Sequence, residues 1–162
     1  MLIFPKINKV WDTAITILVV LVALLAVLIV GVRLCGLQVY SVMSGSMEPD
    51  YPVGSLIYVR KVDYKTLQSG DVITYRLDKN TICTHRILQV QTDDGYRFIT
   101  KGDANDDPDG APVFPADILG EPIVAIPLLG YVAFYIQHPP GLYIAIAAGA
   151  ILVMLTFLPG LP

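Results

Sequence analysis

From Thr13 to Val32 the chain carries no charged side chain, and almost every position is apolar. A run of about 20 such residues crosses a hydrocarbon core of roughly 30 Å as a helix, which predicts a transmembrane anchor. A cleaved leader would have an apolar stretch of roughly 7–15 residues followed by a small-x-small cleavage point. Here the run passes straight into Val32-Arg33-Leu34-Cys35, so a permanent anchor is expected. Lys6 and Lys9 precede it and only Arg33 follows closely. That bias predicts a cytoplasmic N-terminus, with the middle of the chain on the far side of the bilayer. A second apolar run, Gly141 to Leu158, reaches the lower length limit for a span. Pro139-Pro140 would set its start, because proline is tolerated in a first helical turn. A buried helix of a soluble fold is the alternative for this run, and Leu158 to Pro162 offers no positive anchor. The apolar segment from Ile126 to Ile136 is expected at the interface or over a core edge.

Between the two runs the period changes. Leu56-Ile57-Tyr58-Val59, Asp71 to Arg76, Ile82 to Val90, Tyr96 to Thr100 and Ile123 to Ile126 read as short strands separated by turn residues. Thr92-Asp93-Asp94-Gly95 reads as a hairpin turn. Many short strands without a helical period predict a mainly β protein: a small all-β domain flanked by an N-terminal and a C-terminal transmembrane helix. The expected divisions are 1–34 for the N-terminus and anchor, 35–127 for an extracytoplasmic β domain, and 128–162 for the apolar C-terminal segment.

Composition supports the lipid reading, since 54% of the 162 residues are hydrophobic. A net charge of −3 with no long Lys/Arg block argues against nucleic acid as a partner. Two cysteines, Cys35 and Cys83, make neither a disulfide framework nor a metal site, and a bridge between them is not expected. No cofactor or metal is implied.

The candidate chemistry lies just beyond the anchor, in Ser44-Gly45-Ser46-Met47-Glu48-Pro49. A serine such as Ser46 is a poor nucleophile at its own pKa and needs a base. His85, in the strand Ile82 to Leu88, and His138 are the two histidines. An imidazole titrating near 6.5 accepts a serine proton at neutral pH. The loop from Lys101 to Gly110 holds Asp103, Asp106, Asp107 and Asp109, any of which would orient a histidine through its second nitrogen. Spacing leaves the choice open. The loop also places Asp103, Asn105 and Asp107 at calcium-loop positions, but Pro108 stands where glycine is needed and Phe114 where a bidentate glutamate belongs. Lys101 and Lys79 are rival bases, neither in the apolar setting that lowers a lysine pKa. Cys83 shares a strand face with His85 and reads as a small core residue rather than a nucleophile.

Three motifs together, S-G-S-M-E-P at 44–49, T-H-R at 84–86 and T-K-G-D-A-N at 100–105 with a further aspartate at 109, resemble type I signal peptidases. More narrowly they are similar to the endoplasmic-reticulum type of archaea, some Gram-positive bacteria and eukaryotes, in which histidine replaces the lysine base. The resemblance implies a membrane-bound serine endopeptidase that removes signal peptides from exported proteins. It implies Ser46 as nucleophile, His85 as base, Asp109 as the group orienting His85, and Asp103 in support of the site, with Asp107 able to substitute if the loop register differs. Ser44 and the Ser46 backbone N–H would stabilise the oxyanion. Met43, Met47 and Ile57 are candidates to line substrate pockets, with plain core packing as the alternative. Expected partners are signal-peptide-bearing preproteins, the lipid bilayer and secretion machinery. About a dozen residues separate the anchor from Ser46, a reach of roughly 40 Å at most, so the serine is expected near the outer membrane surface. Two alternatives stay in view: a non-catalytic membrane-anchored β-domain that binds signal sequences or scaffolds a secretion complex, and a self-cleaving repressor-like protease of related fold.

Overall fold

The computed structural model describes residues 4–29 and 31–156. Val30 in the first apolar run, Phe157 and Leu158 at the end of the second, and the tail after them lie outside the described residues. Helix α1, Phe4–Ile29, is 26 residues long, about 39 Å at 1.5 Å per residue. It is long and apolar enough to cross a membrane, and the apolar side chains along it, such as Val20, Leu21 and Leu24, stay exposed rather than packed in a core. A short 3-10 turn, Gly31–Cys35, follows it.

Arg33–Ala133 form one compact unit, and the helical segments a second. The first is an antiparallel sheet of β1 (Leu37–Ser41), β2 (Leu56–Arg60), β3 (Val72–Arg76), β4 (Ile82–Gln91), β5 (Arg97–Lys101) and β6 (Ile118–Ile126). Its spatial order is β1-β2-β6-β3-β4-β5, so β6 joins the β1-β2 pair to the three-stranded β3-β4-β5 part. Gly120 makes that crossing. Its φ of +151° suits glycine, and a Cβ there would lie 2.1 Å from the Arg60 carbonyl oxygen.

The core cluster of Leu67, Ile73, Tyr75, Ile87, Phe98 and Val113 sits under the β3-β4-β5 half. Strand alternation explains it: Ile73 and Tyr75 share one face of β3, and Ile87 continues that face on β4. β2 departs from alternation. Leu56, Ile57, Tyr58 and Val59 are all buried because both faces of this strand are covered.

Two elements depart from the sequence reading. The strand β1 before Ser46 was not expected. β6 starts five residues earlier than its predicted Ile123, through Gly120 and Pro122, residues that argue against a strand when read locally. The apolar segment after β6 becomes helix α2, Leu129–Gln137. Its first turn lies on the start of β2, where the Gly130 N–H donates to the Gly54 carbonyl at 2.9 Å and Ala133 is fully buried. Helix α3, Gly141–Thr156, begins directly after Pro139-Pro140. Its 16 described residues give about 24 Å, short of a full hydrocarbon core.

Candidate active site

β1 carries the chain to a tight turn around Ser46, in which the Glu48 N–H donates to the Gly45 carbonyl and the Tyr51 N–H to the Met47 carbonyl. Met47 is 2% exposed and anchors the turn in the domain. Gly102 lets the acidic loop close on this turn: a Cβ at residue 102 would lie 2.6 Å from the Ser46 carbonyl oxygen. That oxygen accepts instead from the Ala104 N–H at 2.9 Å. Gly102→Ala forces one of the two segments to move. We expect a loss of about 1–3 kcal/mol in stability, as for other overpacked sites, and a larger loss of activity than of stability, read from melting curves and a peptide assay on the same preparation.

Three side chains converge across β1, β4 and the loop. Ser46 Oγ lies 3.1 Å from His85 Nε2, and His85 Nδ1 lies 2.7 Å from Asp109 Oδ2. His85 is buried and Ser46 half-buried. In the neutral imidazole the carboxylate partner favours the tautomer with its proton on Nδ1, which leaves Nε2 as an acceptor facing the serine hydroxyl. The same Asp109 oxygen also accepts from the Thr100 hydroxyl at 2.5 Å and the Tyr75 hydroxyl at 3.0 Å. Neither hydroxyl stands out in the sequence. The only signal is strand alternation, which puts Tyr75 and Thr100 on the His85 face of their strands once the pairing is known.

Burial pulls the imidazole pKa down. Interaction with the Cys83 sulfur and with Asp109 outweighs it, and His85 is raised from 6.5 to about 9. Burial likewise raises the Asp109 carboxyl, but its bonds from Thr100, His85 and Tyr75 hold it below its ordinary value.

Asp103 does not reach His85. It takes a bidentate pair of bonds from Arg86, Nε at 2.8 Å and Nη2 at 2.6 Å, and Arg86 Nη2 also meets Asp50 at 3.0 Å. Arg86 therefore clamps the end of the Ser46 turn and the start of the acidic loop to β4, and this attachment holds Asp103 below its ordinary pKa. Asp106 and Asp107 are exposed. Of the rival bases, Lys101 donates from Nζ to the Asp106 carbonyl at 3.4 Å and Lys79 is exposed. His138 donates from Nδ1 to the Phe134 carbonyl at 2.8 Å and stacks on the Phe134 ring, a local helix-end role. Both cysteines are free.

Ser44 Oγ lies 3.4 Å from Ser46 Oγ. Beside the serine a groove of about 460 Å³ runs between the end of β1 and the start of β4. Met43, Met47 and Ile57 all line it, Met43 exposed and the other two as buried wall. Ser41, Asn80, Thr81 and Thr84 complete its polar edge.

A family model described as "Signal peptidase, peptidase S26" matches residues 13–99, a span that holds Ser46 and His85. Signal peptidase I W of Bacillus subtilis is 51% identical over 80 residues, covering 48% of this chain and 42% of its own length. The Homo sapiens signal peptidase complex catalytic subunit SEC11C is 31% identical over 68 residues, covering 40% of this chain and 35% of its own. The SEC11 subunit of Zygosaccharomyces rouxii is 32% identical over 109 residues, covering 60% and 64%. The chain thus spans less than two thirds of the length of these curated relatives. With more than half of its length matched by one model, from the apolar helix through the strand that carries His85, the chain belongs to the signal peptidase family of hydrolases.

Proposed function

We propose that this chain is a membrane-bound serine endopeptidase that removes N-terminal signal peptides from exported proteins. The observation that carries the proposal is the continuous run from Ser46 Oγ through His85 to Asp109, with separations of 3.1 and 2.7 Å. A nucleophile, a base and an orienting carboxylate at these distances are what acyl transfer requires.

In the proposed reaction Ser46 Oγ attacks the carbonyl carbon of the scissile bond and gives its proton to His85 Nε2. The Ser46 N–H and the Ser44 hydroxyl stabilise the oxyanion as it forms. The intermediate collapses, the carbon–nitrogen bond breaks, and His85 protonates the departing amine. Water then attacks the ester with His85 as base, and Ser46 recovers its proton. Asp109 keeps Nδ1 protonated and stabilises the imidazolium throughout. Asp103 supports the site through Arg86.

The groove beside Ser46 supports an extended peptide laid along the end of β1, with room for small side chains against Met43, Met47 and Ile57. α1 supports the membrane assignment, and the lysines before it support a cytoplasmic N-terminus with the β domain on the opposite side. α3 is proposed as part of a second membrane segment, and the chain divides at about 34 and 127. The substrate is then a preprotein whose apolar segment is already in the bilayer.

Full-length protein in vesicles of bacterial lipid tests the proposal. It should cleave a peptide that carries an apolar segment followed by Ala-x-Ala, and cut after the last alanine. Binding of that peptide without cleavage would favour the signal-sequence-binding β-domain instead.

A further inference from the structure

Asp109 is held by more than the histidine. Its Oδ2 atom accepts from Thr100 Oγ1 at 2.5 Å and from Tyr75 OH at 3.0 Å, and the two hydroxyls are 3.4 Å apart. Thr100 is fully buried and Tyr75 is 2% exposed. Neither hydroxyl has water to fall back on, so each is committed to this carboxylate. Thr100 stands on β5 opposite Ile87, and Tyr75 on β3 opposite Cys83. The two strands flank β4, so they reach Asp109 from either side of His85. The Asp109 N–H also donates to the Thr100 carbonyl at 2.8 Å, which ties the loop end to the same residue.

We propose that Tyr75 and Thr100 are positioning residues for the hydrolysis: their buried hydroxyls hold the Asp109 carboxylate at the Nδ1 side of His85. This rests on the serine–histidine reading above. A loop aspartate without such donors would swing toward solvent, and the imidazole would lose the partner that keeps Nε2 aimed at Ser46. Burial raises the Tyr75 phenol pKa, so it stays a donor across the working range. The groups facing the pair are Cys83 on β4, Tyr75 on β3, Thr100 on β5, and the Arg86–Asp103 ion pair beyond them.

The sign of the effect on His85 is specific. The two hydroxyls present the positive ends of their dipoles to the carboxylate. Removing one leaves the other hydroxyl still holding the carboxylate beside Nδ1, less firmly aimed but with more of its charge unshared, so the His85 pKa rises further. Loss of the carboxylate itself acts the opposite way.

The test uses full-length protein in detergent with a fluorogenic Ala-x-Ala peptide and the variants Thr100→Val, Tyr75→Phe, Thr100→Ser and Ser46→Ala. Thr100→Val and Tyr75→Phe should each lower kcat by about 10-fold, as expected for one hydrogen bond to a charged group. KM should stay within about twofold of wild type, and the limb of the pH–rate profile should move to higher pH. Thr100→Ser restores the hydroxyl and should recover most of the rate. The downfield Nδ1 proton resonance of His85 should shift in both hydroxyl deletions and return in Thr100→Ser, a readout independent of turnover. Folded Thr100→Val and Tyr75→Phe proteins with wild-type kcat and an unmoved resonance overturn the inference while leaving the protease reading intact, provided Ser46→Ala is dead. A Ser46→Ala protein that still cleaves removes the reading and the inference together.

Discussion

Ser46→Ala should abolish peptide cleavage, with a fall in kcat on the order of 10⁵-fold, about 7 kcal/mol of transition-state stabilisation at 1.36 kcal/mol per tenfold. In the proposed mechanism the whole covalent route passes through one oxygen. The fold should barely notice: Ser46 is half-buried, and among the described residues its hydroxyl reaches His85 and Ser44, at 3.1 and 3.4 Å. The backbone bond that fastens the turn, from the Ala104 N–H to the Ser46 carbonyl, does not involve the side chain. Melting temperature should therefore stay near wild type while activity disappears. His85→Ala should cost a similar factor. Groups that act as one unit are strongly non-additive, so the double variant should be no slower than either single one. Independent losses that multiply in the double variant would mean that Ser46 and His85 do not work on the same proton, and the mechanism would have to be abandoned.

Asp109→Asn should lower kcat on the order of 10⁴-fold, the scale at which a serine triad fails when its histidine is left in the wrong tautomer. The asparagine amide presents a donor where Nδ1–H needs an acceptor. The variant should also change the pH dependence in a direction that can be worked out. In the proposed mechanism His85 must be neutral in the free enzyme to take the serine proton, and its pKa is raised to about 9. For the wild type, kcat/KM should climb roughly tenfold per pH unit through neutrality and level off near pH 9. Removing the Asp109 charge takes away one of the two interactions that favour the imidazolium, so the limb should move toward acid. A wild-type limb at 6.5, unmoved in Asp109→Asn, would contradict the geometry described above.

The same two groups shape stability. His85, raised above its unfolded value of 6.5, adds stability that is complete below 6.5 and fades as pH rises through about 9. Asp109, lowered from 3.8, adds stability that is present above 3.8 and fades as pH falls through its folded value. A stability optimum between the two windows should therefore lie on the acid side of the activity optimum. That separation is what the proposed use of a histidine stabilised in its charged form as a base would produce. Urea midpoints and initial rates across pH 4–10 on one preparation would show it.

The linear chain determined the architecture at the level where local period is enough. An uncharged run of about twenty residues has to be a lipid-exposed or deeply buried helix, and α1 follows from it. β2, β3, β4 and β5 lie within one or two residues of their predicted places because alternation and turn residues mark them. Ser46 and His85 stand out in the sequence because a serine turn just beyond a long apolar run and a strand histidine are rare chemistry in an apolar chain. Asp109 rested on the motif resemblance, since four carboxylates in one loop are equivalent until the loop is folded. Only the tertiary structure decided among them, because Asp109 alone is drawn inward by Thr100 and Tyr75, while Asp103 is taken by Arg86. It also decided β1 and the early part of β6. β1 becomes a strand by pairing with β2, and β6 tolerates Gly120 and Pro122 where its partner changes from β2 to β3. Pairing between distant strands follows from the collapse of the whole domain. No local window of sequence contains the residue that will lie opposite.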